Sequence, residues 1–213
     1  MVITIDGPAG VGKSTLAKCL AERLGWLHLN SGLFYRYAGY IFNGNYDDLI
    51  KDLDKYFNNK KFNIYDDLAE KAFLTSQEVG EKASLVSSYP PLRDLVNNTI
   101  RQIAQQNNLV AEGRDMSTVT FPEAILKIYL DAEINERAKR RWLENPQKDT
   151  LENIKKALEE RDRRDREKEV GALKQAQNSW YIDSTHLTIV KVCEKVLLKL
   201  NNMMDKGKND DVG

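Results

Sequence analysis

The sequence predicts an α/β domain built on a parallel β-sheet with helices on both faces. Four short apolar segments end in acidic or small residues, as expected of buried strands: 2–5, 109–111, 125–130 and 180–182. Between the first two segments the apolar residues change to a helical period, as at Leu16, Leu20 and Leu24. Strands that alternate with helices favour a parallel sheet, because the crossover helices cover both of its faces.

The length and charge of the chain limit its function. Its 213 residues suffice for one domain with a sizeable core. Lys and Arg together number 32, as do Asp and Glu, so no cationic field marks a binder of nucleic-acid polymers. No apolar run approaches the roughly 18 residues of a membrane span, and no secretion signal is recognisable. We therefore expect a cytoplasmic protein that binds neither membranes nor nucleic-acid polymers.

The cysteines and histidines form no recognisable chemical motif. Cys19 and Cys193 each fit an apolar stripe in a segment with helical periodicity. In a cytoplasmic chain without metal-like spacing, they are predicted to be buried reduced thiols rather than a disulfide. His28 and His186 are isolated and are predicted to be packing or surface residues.

Capping signals mark the later helices. The capping box Thr-Ser-Gln-Glu at 75–78 predicts a helix toward Val86, and Pro90-Pro91 suits the first turn of a helix toward Gln106. A similar box at 149–152 predicts another helix start. The last helix has a single apolar stripe that would pack on the sheet: Ile189, Val192, Cys193, Val196, Leu197 and Leu200.

These patterns predict a single domain over residues 1–200. Residues 44–74 have too few apolar side chains for a separate core, so they are predicted to form a small insertion. The tail at 201–213 has no periodicity and is predicted to be disordered.

One motif specifies chemistry. Residues 7–14 fit the phosphate-loop pattern G-x-x-x-x-G-K-S, between a strand and a helix. Lys13 is predicted to reach the terminal phosphates of ATP, and Ser14 to ligate Mg²⁺. The predicted ATP-binding residues are Gly7, Pro8, Ala9, Gly10, Val11, Gly12, Lys13, Ser14 and Thr15. The motif identifies the phosphate donor but not the acceptor.

Two charged helix faces are candidates for the rest of the site. One consists of Arg161, Arg164, Asp165 and Lys168, and the other of Arg137, Arg140 and Arg141. A charged face is usually only solvated. However, arginines that close over a triphosphate would neutralise charge during phosphoryl transfer. The spacing alone leaves both interpretations open.

Seven segments resemble, in order, the blocks of the bacterial cytidylate kinase family: IDGPAGVGKST, NSGLFYR, ASLVSSYPPLR, EGRDMSTVTFP, KIYLDAEINERAKRR, ERDRRDR and WYIDST. The resemblance implies a three-layer P-loop nucleoside-monophosphate-kinase fold with a five-stranded parallel core sheet. It also implies an acceptor-binding insertion at about 44–74 and a mobile lid at about 137–160. The implied reaction transfers the γ-phosphate of ATP, with Mg²⁺, to CMP or dCMP in pyrimidine nucleotide metabolism. We expect the enzyme to be a monomer.

The resemblance also implies roles for single residues. The CMP site would be lined by Ser31, Arg36, Ser84, Arg93, Arg114, Asp115, Arg161, Asp165 and Lys168. The catalytic contacts would come from Lys13, Arg114, Arg140 and Arg141, and Arg137 would join the ATP site at the start of the lid.

The base-recognition pair has a chemical rationale. Cytosine presents an N4 amino donor beside the N3 and O2 acceptors, so Asp115 can accept from N4 while Arg93 donates to the acceptors. Uracil would turn O4 toward the carboxylate, and an unpaired buried polar group costs about 1–3 kcal/mol. Without a ligand role, Asp115 would cap a helix or pair with Arg114.

Three positions depart from the family pattern. Asn30 stands where the family commonly has Asp, Glu112 replaces the usual Asp, and Lys168 cannot form the bidentate contact of an arginine. These departures bear on metal coordination and on acceptor affinity.

Two other functions stay open. A kinase for UMP, AMP or a hydroxyl acceptor such as shikimate would use the same donor loop, with Asp115 as a base for the hydroxyl case. A non-catalytic nucleotide switch would need a water-positioning residue and a partner surface. The arginine-rich lid and the insertion fit a second small substrate better.

Overall fold

Five parallel strands form the sheet at the centre of the computed structural model, which describes residues 1–60, 64–147 and 149–210. The strands are β1 (Val2–Asp6), β2 (Leu27–Asn30), β3 (Leu109–Gly113), β4 (Leu126–Asp131) and β5 (Trp180–Asp183). Their order across the sheet is β2-β3-β1-β4-β5, and every neighbouring pair is parallel. The predicted parallel α/β fold is confirmed.

Nine helices in the described ranges surround this sheet. They are α1 (Lys13–Leu24), α2 (Ser31–Ile41), α3 (Tyr46–Lys60), α4 (Ile64–Ala69), α5 (Gln77–Val86), α6 (Pro90–Gln106), α7 (Ile134–Glu144), α8 (Leu151–Glu167) and α9 (Ile189–Asp210). A short 3₁₀ helix spans Ala72–Thr75, and one π-helical turn spans Met116–Thr120. Among these residues no helix combines the length and the apolar character that crossing a membrane requires.

The helices begin where the capping residues predict, except that the cap of α5 lies one residue later. α6 begins at Pro90 as predicted, and Thr150 caps α8 by accepting from the Asn153 N–H. The predicted capping box would place the cap of α5 at Thr75. In the structure the cap is Ser76, which accepts from the Val79 N–H. The reason is that Thr75 ends the preceding 3₁₀ helix, so the chain first becomes extended at Ser76.

Two apolar clusters lie on opposite faces of the sheet. Val110 faces the side covered by α1 and α9, whereas Leu109 and Ala111 face the side covered by α2 and α6, because successive strand residues point to opposite faces. Apolar side chains of the predicted insertion, including Leu53 and Phe57, belong to the second cluster. The insertion therefore shares the main core.

The prediction of reduced thiols is wrong in this structure, because Cys19 and Cys193 form a disulfide. The cysteines lie on α1 and α9, which pack side by side over the same face of the sheet, with 6.5 Å between their Cα atoms. The sequence shows each apolar stripe, but it does not show that the two stripes face each other.

The predicted disordered tail also differs from the structure, in which α9 continues past Leu200 to Asp210. The segment after Leu200 has no proline, and its first glycine is Gly207, so nothing near Leu200 stops the helix. Residues 211–213 of the predicted tail, 61–63 of the insertion and 148 of the lid lie outside the described residues. The functional boundaries of the insertion and the lid stay predictions.

The phosphate loop leaves the carboxyl end of the central strand β1 through a close contact. A Cβ atom on Gly7 would lie 2.1 Å from the backbone oxygen of Leu130 in β4. Only glycine lets the two strands keep this approach. The loop therefore begins beside the point where the chain's crossovers change direction in the sheet, which is where open α/β sheets bind ligands.

We predict that Gly7→Ala lowers the free energy of unfolding by about 1–3 kcal/mol, the usual effect of overpacking a well-packed site. The added methyl group would displace β4 or the loop. Gly25→Ala is the control, because the space around Gly25 is open within 4 Å and only its left-handed backbone opposes the change. Urea unfolding measures both variants, and a smaller loss for Gly7→Ala than for Gly25→Ala would contradict the packing argument.

Candidate active site

The phosphate loop wraps around its own lysine. Lys13 begins α1, is 7% exposed, and donates from Nζ to the backbone oxygen of Pro8 at 2.6 Å. Burial, followed by the positive charge of Arg114, lowers the pKa of the Lys13 ammonium well below its ordinary value. An anion placed at the loop would therefore stabilise the charge of this lysine.

Ser14 and His28 share one buried carboxylate, that of Glu112. Ser14 donates from Oγ to Glu112 Oε2 at 2.8 Å, and His28 Nε2 lies 2.9 Å from Glu112 Oε1. Glu112 is 3% exposed at the end of β3. His28 is therefore neither a simple packing residue nor a surface residue, which corrects the sequence interpretation, whereas His186 is exposed as predicted.

The donors around Ser14 fit a magnesium ion. No group of three His, Cys, Asp or Glu residues that could hold a metal occurs within the described ranges. Mg²⁺, however, needs only one or two hard oxygen ligands from a protein when water and substrate phosphates supply the rest. The hydroxyl of Ser14 and the carboxylate of Glu112 are oxygen donors of this kind, placed beside the phosphate loop.

The residues expected at the acceptor site lie around one cavity of about 280 Å³. Its lining includes Ser31, Arg36, Ser84, Arg93, Arg114, Asp115, Arg161, Asp165 and Lys168. The same cavity is lined by Ala9, Gly10, Lys13 and Ser14 of the phosphate loop. Residues that are up to 159 positions apart in the sequence, from Ala9 to Lys168, therefore form the two ends of one site.

Arg93 and Asp115 form a buried ion pair at the acceptor end. Arg93 Nη2 donates to Asp115 Oδ2, and its Nη1 donates to the Ser87 backbone oxygen at 3.0 Å. The Asp115 side chain makes no helix-capping hydrogen bond, and Arg114 pairs with Asp165 instead. Neither non-functional explanation of Asp115 therefore describes its contacts.

Asp165 is surrounded by cations. Arg114 Nε donates to its Oδ2 at 2.7 Å, Lys168 Nζ donates to its Oδ1 at 3.3 Å, and Arg161 Nε lies 4.0 Å away. Burial alone would raise the pKa of this carboxyl, but the charges of Arg114 and the other two cations outweigh burial and hold that pKa at about 2. Asp165 thus stays ionised and balances a cationic wall of the cavity.

Two further acceptor-side residues, Arg36 and Ser31, are held by backbone groups. Arg36 donates from Nη1 to the backbone oxygens of Leu74 at 2.6 Å and Ser76 at 3.0 Å. Ser31 donates from Oγ to the Glu112 backbone oxygen at 2.9 Å. These contacts connect the start of α2 both to β3 and to the end of the predicted insertion.

The structure does not bring the three predicted lid arginines to the cavity. Arg137 is buried and donates to Asp162 at 2.6 Å and to the Ala9 backbone oxygen at 2.9 Å. Arg140 donates to the Ser184 backbone oxygen at 2.6 Å, and Arg141 donates to Glu144 at 2.7 Å. Two of the three still act on cavity residues: Arg137 through its bond to Ala9, and Arg141 through its charge, which adds to burial in lowering the pKa of Arg36.

Three residues that the sequence did not predict make contacts at the site. Asp162 accepts from the Ala9 N–H at 3.1 Å and so anchors α8 to the phosphate loop. Ser87 accepts from Lys168 Nζ at 3.0 Å, and Tyr35 places its ring 5.4 Å from the guanidinium carbon of Arg93. A signal existed for Asp162, because it lies three residues before Asp165 and hence on the same helical face.

A parallel sheet whose central strand ends in a phosphate loop beside a cation-lined cavity defines a P-loop phosphotransferase. Solved structures share this fold. The structure titled TT1252 from Thermus thermophilus matches with a TM-score of 0.54 and 17% identity, over 95% of this chain and 96% of that one. A shikimate kinase from Bacteroides thetaiotaomicron matches with a TM-score of 0.51 and 11% identity, over 94% and 98%. At these identities the likeness concerns the fold alone.

Sequence comparisons identify the family. The family described as cytidylate kinase matches residues 3–202. The chain is 40% identical to the cytidylate kinase of Borrelia hermsii, over 97% of this chain and 100% of that protein. It is 36% identical to the cytidylate kinase of Pseudomonas syringae pv. tomato, over 93% and 94%. The chain belongs to the cytidylate kinase family.

We predict that Asp165→Asn lowers the free energy of unfolding at pH 7 by about 2 kcal/mol, the equivalent of the depressed pKa. Because the folded pKa lies below the unfolded one, the ionised carboxylate stabilises the fold above about pH 4. That stabilisation is lost as the pH falls toward 2. Urea unfolding of the wild type and the variant from pH 7 to pH 2 should therefore show curves that converge at low pH.

Glu152→Gln is the control for this series. Glu152 is an exposed acid on the same helix, and its ion pair with Lys156 should contribute little to the free energy of unfolding. A difference between the wild type and Asp165→Asn that stays constant with pH would mean that the charge of Asp165 does not stabilise the fold.

Proposed function

We propose that this chain transfers the γ-phosphoryl group of ATP to CMP or dCMP, yielding ADP and CDP or dCDP. The observation that carries the proposal is that Lys13 and Ser14 of the phosphate loop line the same cavity as the nine acceptor-side residues. The names of the relatives from Borrelia hermsii and Pseudomonas syringae support cytidylate as the acceptor. The enzyme would act as a monomer on free cytoplasmic nucleotides.

At the donor end, the terminal phosphates of ATP would replace the Pro8 carbonyl as the partner of Lys13 Nζ. The backbone N–H groups of the loop and the N-terminus of α1 would donate to the remaining phosphate oxygens. Mg²⁺, held by Ser14, would neutralise negative charge on the phosphates of bound ATP. Lys13 and the backbone groups would strengthen their contacts as charge develops on the transferring group.

At the acceptor end, the nucleophile would be a phosphate oxygen of CMP, which is already anionic and needs no general base. Positioning and charge neutralisation would then supply most of the catalysis. Arg114 and Arg36 lie on the cavity wall where they can bind that phosphate, and Arg161 with Asp165 can bind the sugar hydroxyls. Because Arg114 is already paired with Asp165, phosphate and sugar contacts would be made by one connected group of side chains.

The Arg93–Asp115 pair would read the cytosine edge. Asp115 would accept from N4, and the guanidinium of Arg93, held by Ser87, would donate to N3 and O2. A hydroxyl acceptor is supported less well, because a side-chain pair that presents both an acceptor and donors matches the edge of a base rather than a single hydroxyl. The buried pair therefore favours base recognition over general-base catalysis.

The three arginines of α7 would act only after a movement of the lid. Arg140 and Arg141 would have to leave the Ser184 carbonyl and Glu144 before they could contact the transferring phosphoryl group. Arg137 lies closer to the donor through its bond to Ala9 in the phosphate loop, which supports a place beside ATP. Closure of such a lid would exclude water, which would otherwise accept the phosphoryl group.

The function is tested by measuring ADP release with CMP, dCMP, UMP, AMP and shikimate at saturating MgATP. We expect kcat/KM for CMP or dCMP to exceed the value for UMP by roughly fivefold or more, the effect of one unpaired buried polar group. Lys13→Ala is the control for contaminating kinases. Turnover with AMP or shikimate but not CMP would refute the proposal, as would ATP hydrolysis that no monophosphate accelerates.

We predict that Asp115→Asn reduces the ratio of kcat/KM for CMP to that for UMP by roughly fivefold or more, because the amide can donate to O4 of uracil whereas the carboxylate cannot. Steady-state kinetics with both nucleotides measure the ratio. Asp94→Asn is the matched control, since Asp94 is the exposed acid next to Arg93 on α6. An unchanged ratio in Asp115→Asn would remove this residue from base recognition.

A further inference from the structure

His28 lies beside the donor site, in contact with Glu112. It lies on β2, where it is in register with Val110 of β3. Its side chain is 15% exposed, and its Nε2 atom lies 2.9 Å from Glu112 Oε1. The ring packs edge-on against Tyr65, with 6.2 Å between the ring centroids. The imidazole is therefore held from two sides and directed at one oxygen atom.

The partner of His28 has both carboxylate oxygens engaged. Glu112 accepts from Ser14 Oγ through Oε2, and its other oxygen faces His28. A carboxylate oxygen accepts hydrogen bonds, so this contact is a hydrogen bond in the His28 tautomer that carries its hydrogen on Nε2. Histidine, glutamate and serine thus form a chain of directed hydrogen bonds that ends at the side chain expected to hold the metal.

This chain of bonds matters because Glu112 has one more rotatable bond than an aspartate would have at the same place. If only Ser14 held it, the longer carboxylate could turn away from the phosphate loop. With the Ser14 hydroxyl hydrogen directed at Glu112, the oxygen lone pairs of Ser14 stay available for a cation. A group that locks Glu112 would therefore also orient Ser14, as outer partners of metal ligands generally do.

We propose that His28 is a positioning residue of the donor site, which fixes the Glu112 carboxylate and thereby orients the Ser14 hydroxyl toward the Mg²⁺ that accompanies ATP. This inference rests on the proposed function, because it requires a metal–nucleotide complex at the phosphate loop. In this role His28 contacts neither substrate.

The test uses Mn²⁺ as the metal probe and follows its binding by electron paramagnetic resonance, with the enzyme and a non-hydrolysable ATP analogue. His28→Phe keeps a ring beside Tyr65 but removes the hydrogen-bond donor. We expect Mn²⁺ to bind about tenfold more weakly, as when other residues that hold a metal ligand in place are replaced. His28→Gln places an amide nitrogen near the position of Nε2. It should restore binding to within about threefold of the wild type, since the donor is kept.

Kinetics provide a second measurement. His28→Phe should lower kcat and raise the Mg²⁺ concentration needed for half-maximal rate, while KM for CMP changes little, because the acceptor end is not touched. His186→Phe is the matched control, since the same change at the exposed histidine should leave Mn²⁺ binding unaltered. Thermal unfolding of each variant distinguishes a variant that does not fold from one in which only Glu112 and Ser14 lose their orientation. If His28→Phe does not fold, His28→Leu takes its place.

Wild-type Mn²⁺ affinity in a folded His28→Phe or His28→Leu variant would overturn the proposal, as would equal weakening in His28→Phe and His28→Gln. A Glu112→Gln background supplies a further check: there His28→Phe should have no additional effect on Mn²⁺ binding, and a full additional loss would show that His28 does not act through Glu112. Because the Mn²⁺ titration contains no acceptor, its outcome is independent of whether CMP is the substrate.

Discussion

Burying an ionised side chain without a partner costs several kcal/mol, and the candidate active site buries ionised groups of both signs. Each acid at the cavity is placed against a base or a hydroxyl: Asp115 against Arg93, Asp165 against Arg114, and Glu112 between Ser14 and His28. Lys13 differs, because its ammonium donates to a backbone carbonyl, that of Pro8, rather than to a carboxylate. The site is thus electrostatically balanced at the acceptor end and receptive to an anion at the donor end.

Helix α8 connects these two ends. Asp162 and Asp165 lie on the same face of the helix; the first holds Ala9 of the phosphate loop and Arg137 of α7, and the second holds Arg114 at the end of β3. A displacement of α8 would therefore disturb the donor loop and the acceptor wall together. If α7 and the start of α8 act as a lid, this helix is the element through which its movement would reach both substrates.

Much of this architecture could be predicted from the sequence, because local chemistry determines it. The strand at the start of the chain, the glycine-rich loop and the helix that begins at Lys13 follow from hydrophobic period and glycine spacing alone. The acceptor side was predicted through the family resemblance rather than from the residues themselves, and the structure gathers all nine of those residues around one cavity. The lid arginines lie outside this cavity, and their role there stays a prediction, because a helical face alone does not reveal which neighbour it meets.

The sequence by itself determined four of the five strands, the helices marked by capping residues or an apolar period, and the chemistry of the phosphate loop, because these depend on residues that are close neighbours in the chain. Only the tertiary structure decided which distant side chains meet. It joined Cys19 to Cys193, directed His28 at Glu112 and bound Arg137 to Asp162. The physical reason is that partner choice depends on how helices pack across a sheet and on the need to neutralise buried charge, and neither leaves a periodic signal in the sequence.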